Sequence, residues 1–438
     1  MPEAGGGFLI ADPFAAAVDG MGDHLDTHLH VRVDVPGRLD QARLQRALAA
    51  LARSVPALGG RFERRWWRSR WALDPSPTWR IDEAQAVSAQ AAEQREAELY
   101  AEPFEPRGKL PVRLVLLHLP DHDRLLLRVS HLLADGGGTK NLCYRLAQCY
   151  RGVGEDPDWS PDLAPHPHPL RRLLASLELR HLPAMLLGAL SELFDNRPMR
   201  PMRVPMGPQG PGTPRYRALH LPPSRVARLR ARWRSQGVTL NDLAVAAFTR
   251  AVVLSFPRAN AQRSHAALVA TADLRQYQPP LRDVCNYSAL RPLVFGRLPL
   301  PAAEDNLARV TKVTKPWKAG RTGILLGIPV IALASVLPHA ALRAVLHLIL
   351  GRLLTPAGAC TGLTNIGPME AEALDFGDGP CLAARVISPL APSPTMITAL
   401  TGCAGALDFT VAYREPTLDG ADAQRLIDAM DRELAALE

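Results

Sequence analysis

Ser130-His131-Leu132-Leu133-Ala134-Asp135-Gly136-Gly137-Gly138 is the stretch on which the reading of this chain turns. It follows Leu125 to Val129, a nearly continuous apolar run fit for the middle of a sheet, and leads into a helix expected from about Thr139. A histidine at a strand end is held in place beside whatever space lies beyond the sheet. Its reference pKa of ~6.5 lets it take a proton near neutral pH, so His131 is the candidate general base. Asp135 has two readings: it orients the imidazole, or it turns away to pair with a distant arginine and hold the loop. Gly136 to Gly138 are expected to let the backbone turn tightly and to allow a substrate close to the main chain.

Working outward, strands and helices alternate on both sides of this segment. Leu29, Val31, Val33 and Val35 alternate with polar residues as a half-buried strand, and Asp40 caps a helix carrying Leu44, Leu48 and Leu51. Arg61 to Leu73 reads as strand–turn–strand, Glu83 to Tyr100 as a helix, and Val112 to His118 as a strand. Later, Tyr216 to Leu221 and Ala266 to Ala270 read as strands. Ser224 is the expected cap of one helix, and Thr239 to Asp242 a capping box for the next. Leu407 to Tyr413 and an amphipathic helix through Leu437 close the chain. Asp195 to Pro214 is rich in Pro, Gly, Met and Arg without periodicity. The pattern predicts two α/β lobes, 1–195 and 215–438, joined by a linker at 196–214.

Composition removes several classes. The 438 residues are 47% hydrophobic, which argues against global disorder. The six cysteines include no C-x-x-C pair, so they read as free thiols in a reducing compartment. The charge is +8, with arginines spread along the whole chain rather than gathered on one tail, so no nucleic-acid partner is expected. A general affinity for anions, such as phosphates, an acidic carrier or a membrane surface, fits that balance. Arg64-Arg65-Trp66-Trp67-Arg68-Ser69-Arg70-Trp71 is the densest aromatic–basic cluster. It reads either as a strand pair with tryptophans on one face or as an interface with a membrane or anionic partner. The first 22 residues carry Asp and Glu and no basic segment ahead of an apolar core, so a cytoplasmic chain is expected, with membrane association as the alternative. Residues 322–342 lack charge, but Pro329 and Pro338 argue for a helical hairpin over one span. There is no G-x-S-x-G, P-loop, G-x-G-x-x-G or H-E-x-x-H motif, and no metal site is expected.

Ser130 to Gly136 resembles the H-x-x-x-D-G core of the CoA-dependent acyltransferase superfamily. That group includes condensation domains of peptide synthetases, polyketide-associated acyltransferases, wax ester synthases and alcohol acetyltransferases. The likeness extends along most of the chain. GRLDQARLQRALAALARSVPALGGRF (37–62) is similar to the family's opening helix, and LPPSRVARLRARWRSQGVTLNDLAVAAFTRAV (221–252) to the start of its second lobe. TADLRQY (271–277) resembles its central strand and arginine, and TNIGPME (364–370) a late strand reaching between lobes. LDFTVAYREPTLDGADAQRLIDAMDREL (407–434) resembles its closing strand and helix.

The resemblance implies a chloramphenicol acetyltransferase-like pseudo-dimer with a tunnel between the lobes. It implies that His131 deprotonates an alcohol or amine, which attacks a thioester directly with no covalent acyl-enzyme. Catalysis would rest on His131, Asp135 and Gly136. Arg275 would be the ion-pair partner of Asp135, while Ser130, Asn286 and Asn365 would support or bind substrate near the tunnel. No permanent cofactor is implied: the donor is acyl-CoA or a phosphopantetheine-linked acyl group, with an acyl carrier protein as a further partner. Two departures stand out. Many members carry a second histidine where this chain has Ser130, and the D-F-G-W signature is reduced to DFGDG at 375–379. A non-catalytic binding protein on the same two-lobe fold, a free-standing condensation enzyme, and a thioesterase-like activity are the alternatives. The apolar stretches Leu182–Leu190 and Ile324–Leu337 suggest a long-chain or lipid substrate.

Overall fold

The structure is a computed structural model that describes residues 7–21, 28–104, 107–159, 161, 200–207, 210, 212–277, 282–319, 337–353, 361–391, 393 and 395–438. The expected helix Leu170–Phe194, the stretch Leu182–Leu190 and all of Ile324–Leu337 but its last residue lie outside the described residues.

The first half of the chain supplies strands β1 (Phe8–Ile10), β2 (His28–Pro36), β3 (Gly60–Glu63), β4 (Arg70–Leu73), β5 (Ile81–Gln85), β6 (Val112–His118) and β7 (His122–Ser130). Its helices are α1 (Pro13–Met21), α2 (Gln41–Ser54), α3 (Ala89–Ala101) and α4 (Gly136–Glu155). The second half supplies β8 (Thr213–Leu221), β9 (His265–Asp273), β10 (Ser288–Arg297), β11 (Gly362–Met369), β12 (Ala383–Ile387), β13 (Ile397–Cys403) and β14 (Ala406–Glu415). With them come α5 (Pro223–Trp233), α6 (Leu240–Ser255), α7 (Ala303–Ala319), α8 (His339–Leu353) and α9 (Gly420–Ala435).

Two large sheets form two lobes. One runs β12-β2-β7-β6-β5, the other β10-β9-β11-β13-β14-β8, and a small sheet β1-β4-β3 flanks the first. The continuous apolar run in β7 is explained by cover on both faces. Leu125, Leu127 and Val129 pack with α2 and α4, while Leu126 packs with Ala92 and Leu99 of α3. In the second lobe Val226, Leu229, Phe248, Leu307, Val310, Leu426 and Met430 pack against the six-stranded sheet.

Several boundaries differ from the expectation. Glu83 to Gln85 belongs to the edge strand β5, and the helix starts only after Ser88, whose side chain accepts from Ala91 N. Ser224 is not a cap: α5 begins at Pro223, with Pro222 in the cap position. Asp40 and the Thr239–Asp242 capping box stand as read. The sheets also cross the division at residues 196–214. β12, from the second half, pairs antiparallel with β2 and completes the first sheet. Within the expected linker, Met202 and Val204 are buried in the second core, and Met202 N donates to His265 O. The five described cysteines are free and buried. Among the described residues no single helix is long and apolar enough to cross a membrane.

Candidate active site at the seam of the lobes

β7 ends at Ser130, and four residues, Leu132 to Asp135, separate His131 from the first helical turn of α4. Ser130 is fully buried; its hydroxyl accepts from Leu132 N at 3.2 Å, and its carbonyl accepts from Leu133 N and Ala134 N. The serine therefore closes the turn and offers nothing to a reacting group. His131 is half-buried.

Its orientation is set from the other lobe. Asn286 Nδ2 donates to His131 O at 3.0 Å and lies 3.5 Å from Leu132 O. With the amide N–H groups aimed at carbonyls, Asn286 Oδ1 is the atom that faces His131 Nδ1, at 3.1 Å. An amide oxygen only accepts, so Nδ1 carries a proton, and in the neutral imidazole Nε2 is then the nitrogen with the lone pair. That is the tautomer a general base requires.

Asp135 resolves the second question. It caps α4, accepting from Gly138 N at 2.7 Å. It also accepts from Tyr287 N and Ser288 Oγ, each at 2.7 Å, and pairs with Arg275 Nη1 at 3.0 Å. Burial alone would raise its pKa, but Arg275 and these hydrogen bonds outweigh it and hold the carboxyl below the usual range. Arg275 is held in turn by Asp273 at 3.1 Å and by Cys285 O at 2.6 Å, with its guanidinium over the Tyr287 ring. Asp135 thus positions the loop against Cys285–Ser288, and none of these contacts goes to the imidazole.

The glycines serve close approach rather than turning. Gly136 to Gly138 form the first turn of α4, and none of them has a positive φ. A Cβ at 136 would overlap Ile366, one at 137 would overlap Arg275 and Asp273, and one at 138 would overlap the backbone of Cys285. On the Cβ side of these three glycines the space is filled by residues of the second half of the protein. Further along α4, Lys140 Nζ donates to Pro368 O at 3.2 Å, Asn141 Nδ2 to Asp283 O at 3.0 Å, and Tyr144 Oη accepts from Glu370 N at 2.7 Å. Burial lowers the Lys140 pKa.

Asn365 lies on β11. It is exposed, and its amide donates to Asn241 Oδ1 and accepts from Gly367 N. Its neighbour Ile366, on the other face of β11, is the residue that meets α4. DFGDG forms a turn behind the site, where Phe376 packs on Tyr150 near the far end of α4. Sequence reading missed Tyr287, Ser288, Lys140 and Ile366. The adjacency of Ser288 to Asn286 was the one available signal, since a backbone N–H leaves no trace in residue type. Among the described residues no cluster of His, Cys, Asp and Glu could hold a metal ion.

Two α/β lobes meeting at this turn define the fold of the condensation and epimerization domains of peptide synthetases, the chloramphenicol acetyltransferase-like pseudo-dimer. The chain is similar to the epimerization domain from the third module of tyrocidine synthetase B, with TM-score 0.68 and 13% identity over 100% of this chain and 97% of that one. It is similar to the first condensation domain of the calcium-dependent antibiotic synthetase in complex with a substrate analogue, with TM-score 0.68 and 19% identity over 100% and 97%. The condensation domain of a Monacolin K polyketide synthase matches with TM-score 0.67 and 15% identity over 98% and 97%. No protein-family model and no curated protein sequence matches the chain.

Proposed function

We propose that this protein is an acyltransferase that moves an acyl group from a carrier-protein or CoA thioester to an alcohol or amine. The observation that carries the reading is the hydrogen bond from His131 Nδ1 to Asn286 Oδ1, which leaves Nε2 as a base at the seam between two lobes. Nε2 takes the proton of the acceptor, whose oxygen or nitrogen bonds to the thioester carbonyl carbon. The C–S bond breaks, and the thiolate leaves with the proton held by His131. The reaction needs no acyl-enzyme and no bound cofactor. Condensation domains act on phosphopantetheine-linked substrates, and the shared fold supports a carrier-bound donor here.

The test is thiol release from acyl-CoAs and from acyl-loaded carrier protein, with pooled alcohols and amines, comparing wild type with His131→Ala and Asn286→Ala. Acceptor-dependent release is expected from wild type. It should fall by about 100-fold or more in a folded His131→Ala protein, and by roughly 10-fold with an altered pH profile in Asn286→Ala. Equal release by wild type and His131→Ala would overturn the assignment. Release that needs no acceptor would indicate hydrolysis instead.

A further inference from the structure

The Arg64–Trp71 cluster divides in the fold. Trp71, on β4, is 2% exposed and packs edge-on against Phe62 at 5.3 Å. Trp66 and Trp67, in the loop between β3 and β4, are 76% and 48% exposed and stack edge-to-face on each other at 5.6 Å. The tryptophans at 71, 79 and 233 are buried, so leaving two adjacent indoles in water is a departure within this same molecule.

The loop is held in this position from several sides. Trp67 O accepts from His339 N at 2.9 Å and Trp66 O from Ala340 N at 3.3 Å, at the start of α8. Just before the indoles, Arg64 pairs with the fully buried Asp19, which also binds Arg107 at 2.8 Å and His339 Nε2 at 2.7 Å. Just after them, Ser69 is buried and its carbonyl accepts from Ala11 N. Beside the loop runs β1, whose Phe8, Leu9 and Ile10 are all exposed. Ile10 pairs with Arg70 of β4, so this apolar strand runs up to the base of the tryptophan loop.

Arginines frame the apolar groups. Arg65 and Arg68 flank the two indoles and are exposed. Glu63 is shared by Arg65 and Arg70, each at 2.8 Å, and Arg64 pairs with Asp19, so the segment Glu63–Trp71 carries four arginines, Arg64, Arg65, Arg68 and Arg70, against one carboxylate of its own. The patch is therefore apolar at its tip and positive around it.

We propose that the Trp66–Trp67 loop and the strand Phe8–Ile10 form a docking surface for an anionic lipid bilayer. Indoles partition to the boundary between headgroups and acyl chains, and guanidinium groups bind lipid phosphates. An indole 76% exposed has protein on one side only. Such a protrusion enters mobile lipid without a matching cavity, whereas a protein partner must supply a shaped pocket. A second copy of this chain would bring its own arginines against these.

The test is co-sedimentation of the full chain with vesicles of phosphatidylcholine alone and of phosphatidylcholine mixed with phosphatidylglycerol. Wild type is expected to bind the mixed vesicles and to release in high salt. Trp66→Ser with Trp67→Ser should lower the partition by at least ~10-fold at unchanged melting temperature, since both side chains are exposed. Arg65→Gln with Arg68→Gln should remove the preference for anionic vesicles. Quenching of tryptophan fluorescence by brominated lipid, lost in the double serine variant, would place these indoles in the bilayer. Failure of wild type to bind anionic vesicles, or equal binding by the serine variant, overturns the proposal. Self-association that the serine variant abolishes, without vesicle binding, would assign the patch to a second copy.

Discussion

Asp135 is ionised in the interior because four donors converge on it: Arg275, the Gly138 and Tyr287 amides, and the Ser288 hydroxyl. Asp135→Asn removes the negative partner of a buried arginine and is expected to cost about 3–5 kcal/mol near neutral pH. The native pKa lies below the unfolded value of ~3.9. The contribution is therefore fully present above the unfolded pKa and is lost as the pH falls through the native one. Urea midpoints of wild type and Asp135→Asn should differ most near neutrality and converge in strong acid; a constant gap would deny the linkage. Of this residue-level detail, His131 stood out as a candidate because an imidazole at a strand end suits a general base, and the resemblance to the H-x-x-x-D-G core gave it weight. The proximity of Asn286 and the pairing of Arg275 with Asp135 came through resemblance. The Tyr287 amide was illegible, since every residue but proline has one.

At the scale of elements, α4 starts with three glycines where propensity alone argues against a helix. Sequence reading placed its start at about Thr139; the observed start is Gly136, with Asp135 as cap. Glycine is retained because other chain segments press on this turn. Alanine in a helix ordinarily stabilises by about 1 kcal/mol relative to glycine. Here the sign should reverse. Gly138→Ala meets the backbone of Cys285 and is expected to lose about 3 kcal/mol or more. Gly136→Ala meets only the end of the Ile366 side chain, so a smaller loss is expected, relieved in part by Ile366→Val. Thermal melts of the three variants decide this, and a stabilised Gly138→Ala would contradict the packing. Strand β5 was hidden for a different reason: it lies at a sheet edge, with Glu83 and Gln85 exposed and Asp82 only partly buried, and reads as polar and helical.

At the scale of the molecule, the lobes are bound together by exchanged parts. β12 completes the first sheet, and its Val386 also bonds Thr401 and Thr410 of the second. Arg385 on β12 reaches Glu93 at 3.0 Å and Glu96 at 2.9 Å on α3, with Tyr216 Oη of β8 at 3.3 Å. Arg32, Arg124 and Asp34 extend this largely buried network into β2 and β7. Separating the network leaves charges unpaired, so the full chain is expected to unfold in one transition by both circular dichroism and tryptophan fluorescence. The pieces 1–195 and 215–438, expressed apart, should not give folded lobes; two resolved transitions, or a protease-resistant 1–195, would refute this.

Periodicity and capping chemistry were enough to determine the alternation of strands and helices, the two-lobe class and the position of His131, because these depend on neighbours within a few residues. Tertiary structure alone decided that Asp135 holds a loop rather than the imidazole, that the glycines yield to Ile366 and Cys285, that Asn365 bonds Asn241, and that Trp71 is buried while Trp66 and Trp67 are not. Each depends on contacts between residues far apart in the chain, as with the sequence separation of 155 between His131 and Asn286. Local pattern carries no record of such a distance, and only the packed chain closes it.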